Sequence, residues 1–594
     1  MSKTDHNDKR LLTTASYGGG LSFDDAESTT PDNVVAAPYR KRSGWSVAAF
    51  LVAAVVCLPL LSVVWLAFFP EENIWPHLFN TVLTAYIVNT IVLMVGVAIG
   101  TLVIGVSCAW LVSHHEFPGR SFFNWALLLP FAVPAYVIAY VYTDLLEFAG
   151  PVQSLLRSMF GWQLASEYYF PAIRTLPGAI LMMILVLYPY VYLLARAAFL
   201  EQSASIAEAA RSLGVSPSER IFKVALPMAR PAIAVGLSLV MMETLNDYGT
   251  VDYFAVRTLT AGLYDVWLGM NNLGGGAQIA TLLLVFVMVL IGLEKSSRRN
   301  QQNFQPSASR FRPSQRSTLK TPQAIAATAF CLLPVVLGFV VPAWILGSYT
   351  ITYFEESWNR DFQQSALHSI GLSSLAAFAA VCIGILLSYS KRLHPTRNMK
   401  FSVGLASLGY AVPGAVLAIG IMIPFAAFDN TVDALAERLF GVSTGLLLSG
   451  TVFALVFAYT VRFLAMAYGS INTSMKKISP HMDDAARSLG HSPGTILRKV
   501  HLPLIRSGVL TAALVVFVDC MKELPATLVL RPFNFETLAT QIYQFASDEL
   551  IGQSALYALL IVLVGLIPVI LLSVGIDHSR ELAIQKTSPT KSNC

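Results

Sequence analysis

Residues 208–227, EAARSLGVSPSERIFKVALP, return without a gap as residues 484–503, DAARSLGHSPGTILRKVHLP. A repeat of this length marks two copies of one structural unit, and it sets the frame for reading the rest of the chain. Upstream, Ala132-Val-Pro134 returns as Ala411-Val-Pro413. Downstream, Thr258-Leu259 and Tyr264 return as Thr537-Leu538 and Tyr543. The repeated segment is polar yet has a helical grammar. In the second copy Ser479 and Pro480 suit the N-cap and first helical positions, and Met482, Ala485, Ala486 and Leu489 recur at helical spacing to form one apolar face. Ile206, Ala209, Ala210 and Leu213 do the same in the first copy. Gly214 and Gly490 stand where a helix ends on a left-handed residue. Ser216-Pro217 and Ser492-Pro493 open a second short helix, with Ser216 and Glu219 spaced as a capping box. Leu226-Pro227 and Leu502-Pro503 are expected to end it.

Around these segments the chain is apolar. Its 594 residues are 55% hydrophobic and 13% charged, with a mean hydropathy of +0.60, a composition foreign to soluble domains. A helix crosses a bilayer with about 20 apolar residues, and we read twelve such runs: 45–69, 86–113, 122–146, 177–200, 231–250, 277–294, 324–349, 367–390, 401–427, 445–470, 507–526 and 554–576. The fold class is therefore all-α and polytopic, with two homologous six-helix halves. Both halves begin on the same side, so their topology is parallel and a pseudo-twofold axis along the membrane normal relates them. The expected divisions are a disordered segment 1–44, a first unit 45–294 with loop 203–227, a linker 295–322, a second unit 323–577 with loop 479–503, and a tail 578–594. The linker is rich in Ser, Gln, Arg and Pro and reads as flexible. The first apolar run starts too far in, and is too long, for a cleaved signal peptide.

Lys and Arg near helix ends stay cytoplasmic. Arg40, Lys41 and Arg42, the linker cations from Lys295 to Lys320, Lys391, Arg392, Arg397 and Lys400, and Arg580, Lys586 and Lys591 all fall on one side of twelve spans, so both termini are expected in the cytoplasm. The same distribution explains the net charge of +5 without a nucleic-acid partner. Cys57, Cys108, Cys331, Cys382 and Cys520 lie inside apolar runs and show no disulfide or zinc spacing. His114, His115, His394, His491 and His501 lack metal-ligand spacing and are expected at the interface.

Directly after each repeated loop, ionisable residues enter an apolar run: Glu243, Asn246 and Asp247 in the first half, Asp519, Lys522 and Glu523 in the second. A central Asp or Lys costs roughly 2.5 to 3.5 kcal/mol on insertion, so these groups are expected to face protein or a watery path. Residues four apart share a helix face, which places Glu243 with Asp247 and Asp519 with Glu523 as carboxylate linings of a translocation pathway. Internal pairing of Asp519 with Lys522 is the competing reading. No resident metal site is expected; hard cations favour oxygen ligands, which makes the four carboxylates candidates for transient contact with a cation.

The pattern Glu-Ala-Ala, three residues, Gly, nine residues, an aliphatic, any residue, Leu-Pro resembles the EAA loop of binding-protein-dependent ABC importer permeases. Glu208, Ala209, Ala210, Gly214, Val224, Leu226 and Pro227 match it. So do Ala485, Ala486, Gly490, Val500, Leu502 and Pro503, with Asp484 in place of the first Glu. In that family the loop docks on an ATP-binding subunit, which implies a type I importer fold and two copies of an ABC ATPase as partners, with ATP and Mg on those partners and no cofactor on this chain. The chain is accordingly not expected to be an enzyme: it contains no Gly-Lys dipeptide, hence no phosphate-cradling loop. The fused two-repeat layout, LLLPFAVPAYVIAYVYTDLLEFAGPVQSLLR and METLNDYGTVDYF are similar to bacterial iron(III) ABC permeases, implying a periplasmic ferric-binding protein as a further partner and ferric iron as cargo across the inner membrane. Thiamine, aminoethylphosphonate and polyamine permeases share the loop. An ion-coupled secondary transporter is the rival of another class.

Overall fold

The computed structural model describes residues 44–202, 212–298 and 316–587. The expected N-terminal disorder, most of the linker and the end of the tail lie outside them, as do Ile206, Glu208, Ala209 and Ala210.

Among the described residues eleven helices are long and apolar enough to cross a membrane, and a pair bent by 89° brings the number to twelve when counted as one broken span. We number them as spans in chain order: Gly44–Phe68, Leu83–His114, the bent pair Arg120–Ala132 with Ala135–Phe160, Leu176–Glu201, Ile221–Asn246, Leu273–Ser296, Thr321–Thr352, Arg360–Leu393, Gly414–Phe440, Val452–Lys476, Pro493–Met521 and Ile551–Ile570.

The third span is thus not the continuous helix expected for 122–146. Proline lacks an N–H and pushes the residue before it out of helical backbone. Val133 is extended at φ −91°, ψ 121°, and Pro134 caps a new helix. The ninth run breaks at the repeated site: Arg397–Ala406, a 3-10 turn Leu408–Ala411, extended Val412, and a fresh start at Gly414. The repeated Ala-Val-Pro is therefore a helix break in both halves.

The two Leu-Pro pairs do the opposite of what was expected. The chain stays helical through them, because the turn before each widens to a π-helix, Ile221–Ala225 and Leu497–His501. The Leu226 N–H bonds the Ile221 carbonyl, so the wider turn absorbs the donor that Pro227 lacks. The fifth and eleventh spans consequently start well before 231 and 507 and end before the expected 250 and 526. His501, expected at the interface, is wholly buried in this turn.

The halves are interleaved. The first span packs against the eighth and ninth, and the seventh against the third and twelfth, so each of the two apolar cores draws side chains from both repeats. Gly420 makes the first of these contacts possible: a Cβ there would lie 2.3 Å from the Pro59 carbonyl oxygen. The near end of the linker is fastened too. Ser317 and Thr318 pair with His115 and Glu116 as a two-residue parallel ladder, and Arg316 and Arg120 both reach Glu116, at 3.0 and 3.2 Å.

Candidate functional site

Where the fifth and eleventh spans stop, the chain must satisfy the freed backbone of the short helices that follow. Asp247 accepts from the Thr250 N–H (2.9 Å) and hydroxyl (3.0 Å), in the first turn of Gly249–Tyr253. Glu523 does the same at the matching place: it accepts from the N–H groups of Ala526 and Thr527 (3.1 and 3.2 Å) and the Thr527 hydroxyl (2.8 Å). Both lie beyond the helix end, so the shared helix face expected for Glu243 with Asp247, and for Asp519 with Glu523, does not form. The second acid of each pair instead stands one residue before the N-cap, Tyr248 or Leu524, and accepts from N–H groups in the first turn of the next short helix.

All six residues nonetheless line one cavity of about 110 Å³ at the seam between the halves, together with Phe131, Pro134, Tyr190 and Arg462. The Tyr410 hydroxyl donates to Glu243 (2.7 Å). Asn246 Oδ1 accepts from the Gly414 N–H (2.7 Å) and from Arg462 Nη1 (2.6 Å). Asp519 pairs with Lys522 at 2.9 Å, and the ammonium lies 4.4 Å from the Phe131 ring centroid. Arg462 Nη1 is 3.5 Å from Glu523 Oε1, with both side chains buried. Repeat-equivalent tyrosines close the seam beside the cavity: the Tyr264 hydroxyl donates to the Pro525 carbonyl (2.6 Å), and Tyr543 donates to Asp252 (2.7 Å). Among the described residues no three His, Cys, Asp or Glu side chains converge in a metal-binding geometry.

Sequence reasoning missed Arg462, Tyr410 and Gly414. Arg462 was findable, since a lone cation inside an apolar run is costly wherever it occurs. Gly414 has a steric reason: a Cβ there would sit 2.6 Å from both Arg462 Nη1 and Glu523 Oε1. Gly414→Ala is expected to force that pair apart and lower stability by about 1 to 3 kcal/mol. Thermal unfolding in detergent checks it; an unchanged midpoint would remove Gly414 from the packing of the site.

The repeated loop forms the second candidate surface. In the second copy Ser479 caps Pro480–Ser488, and Gly490, at φ +78°, ends that helix. The Gly490 N–H bonds the Arg487 carbonyl (2.9 Å) and the His491 N–H the Ala486 carbonyl (3.2 Å), the two bonds of a Schellman turn. In the first copy Gly214 is left-handed at φ +74°, and Ser216 and Glu219 exchange capping bonds. Hydrogen bonds from Lys223 and Ser216 hold the Glu219 carboxyl down at about 2. The apolar face expected from spacing divides. Ala486 turns inward, while Met482, Ala485 and Leu489 face solvent, Leu489 at 77% exposure and Leu213 of the first copy at 81%.

Residues 101–295 and 380–581 match the family described as binding-protein-dependent transport system inner membrane component. The chain is similar to the Fe(3+)-transport system permease protein FbpB 2 of Haemophilus influenzae, at 27% identity over 88% of this chain and 96% of that protein. A second Haemophilus protein, FbpB 1, provisionally named as a ferric transport system permease, is 21% identical over 83% of this chain and 79% of its own length. A provisionally named sulfate transport system permease protein of Chlorella vulgaris, cysT, is 30% identical over 32% of this chain and 71% of its own. With two matched segments, eleven to twelve apolar crossings among the described residues and one seam between the repeats, the chain belongs to the inner membrane components of binding-protein-dependent transport systems.

Proposed function

We propose that this chain is the permease subunit of an ATP-driven importer, with both halves of the pore on one polypeptide, that carries ferric iron inward from a periplasmic binding protein. Two copies of a separate ATPase supply the energy, one on each repeated loop, and both termini lie in the cytoplasm. The observation that carries the cargo assignment is the charge of the seam cavity, where four carboxylates face two cations. A wall with excess negative charge attracts a hard cation and repels sulfate or a phosphonate. That balance favours the two full-length ferric relatives over the shorter oxyanion ones. We assign contact with the ion to Glu243 and Asp519, whose partners are the side chains of Tyr410 and Lys522, whereas Asp247 and Glu523 are held by backbone N–H groups.

Proteoliposomes holding the chain, its ATPase and its binding protein are expected to take up radiolabelled ferric ion only with ATP inside the ATPase compartment. Glu243→Gln with Asp519→Asn is expected to cut uptake at least about tenfold, equivalent to losing 1.4 kcal/mol. Uptake that persists without ATP would establish a secondary transporter, and uptake of an oxyanion in place of iron would overturn the cargo.

A further inference from the structure

The second repeated loop is fastened to the eighth span by ions. Arg392, in the last turn of Arg360–Leu393, places Nε 2.7 Å from Asp483 Oδ2 on the docking helix Pro480–Ser488. Its other nitrogens donate to the carbonyls of Met475 (2.8 Å), Ile478 (3.0 Å) and Ser479 (3.3 Å), where the tenth span ends. Buried His501, in the π turn, puts Nε2 2.6 Å from Asp483 Oδ1. The neighbouring Tyr389 hydroxyl donates to the Pro493 carbonyl at the start of the loop's second helix (2.6 Å). One turn of the eighth span therefore grips both short helices of the loop. Burial works to raise the Asp483 carboxyl, but His501 and Arg392 outweigh it and hold it below the usual range, so it stays ionised throughout the neutral region.

The first loop is built differently. The register equivalents of Asp483 and His501 are Ala207 and Ala225. Among the described residues, a neutral hydrogen bond from Gln202 to the Ala225 carbonyl (2.9 Å) stands at this place. At the far ends of the same helices the halves are alike. Thr90 Oγ1 accepts from the Leu259 N–H (2.9 Å), and Ser369 Oγ accepts from the Leu538 N–H (2.8 Å). Leu538 opens the helix Leu538–Ser547, which carries the seam tyrosine Tyr543. The eighth span thus has two polar grips about 35 Å apart, Arg392 on the docking helix and Ser369 on the helix that reaches the seam.

We infer that Asp483 is a positioning residue: wedged between Arg392 and His501, it joins the second docking helix and the eighth span into one lever that carries ATPase motion to the seam. The first loop has alanines, Ala207 and Ala225, at the positions of Asp483 and His501, so the two loops are not interchangeable. This rests on the importer reading above.

The test uses the full complex in proteoliposomes, measuring ferric ions moved per ATP hydrolysed. Asp483→Asn keeps the shape and removes the charge. It is expected to retain the ATPase and to hydrolyse ATP while that ratio falls about tenfold, the range of coupling effects from such residues. Arg392→Lys, which keeps charge but loses the fork, is expected to lower it too, and Asp483→Glu to restore most of it. An unchanged ratio in Asp483→Asn overturns the inference. So does a loss of ATPase binding and hydrolysis together that Asp483→Glu does not rescue, the mark of a purely structural role. A wild-type complex that hydrolyses ATP without moving ferric ion removes the importer reading itself, and the lever with it.

Discussion

Gly214→Asp combined with Gly490→Asp is expected to give a folded membrane protein that no longer retains its ATPase. Both glycines sit in left-handed backbone, at φ +74° and +78°, with open space where a side chain would go. The substitution therefore meets no clash, and the strain costs roughly 1 to 2 kcal/mol per site. That is small for a chain with two large apolar cores. The effect on docking is larger. Each new carboxylate lies next to an exposed leucine, Leu213 or Leu489, in the patch offered to the partner, and an unpaired charge buried at an interface costs several kcal/mol. At 1.4 kcal/mol per factor of ten, copurification of the ATPase should fall by more than about 100-fold. Normal copurification would show that the partner binds elsewhere.

Arg462→Met is expected to be the most damaging single change in the seam. The guanidinium is buried, bonded to Asn246 and 3.5 Å from Glu523, whose side chain is 1% exposed. Removing the cation leaves a buried carboxylate without its counter-ion, a loss of about 3 to 5 kcal/mol. The lower end applies here, because Glu523 keeps its bonds from Ala526 and Thr527. Arg462→Met with Glu523→Gln is expected to recover most of the loss, since an apolar side chain beside a neutral amide strands no charge. Thermal unfolding in detergent gives both values. Equal midpoints for the single and double variants would mean that the two residues are not coupled.

The repeat made most of the architecture readable. Eleven to twelve crossings, two equivalent halves and the glycine-ended helix of the repeated loop all follow from residue type and spacing. What spacing misplaced was backbone continuity. Pro134 and Pro413 break helices that apolar content alone makes continuous, whereas Pro227 and Pro503 are absorbed by π turns that hydropathy cannot register. The same limit governs the site. Glu243, Asn246, Asp247, Asp519, Lys522 and Glu523 do meet in one cavity, but Asp247 and Glu523 are bonded to the first turns of the short helices that follow, which becomes visible only once the spans are known to end at Asn246 and Met521. Arg462 and Asp483 were overlooked because their partners, Glu523 and Arg392, are 61 and 91 residues distant in the chain.

A membrane-impermeant thiol reagent applied to Leu489→Cys tests most directly whether the repeated loops are cytoplasmic docking points. Inside-out vesicles should label at this position, right-side-out vesicles should not, and bound ATPase should protect it. Labelling from the outer face, or labelling that the ATPase leaves untouched, would contradict the account.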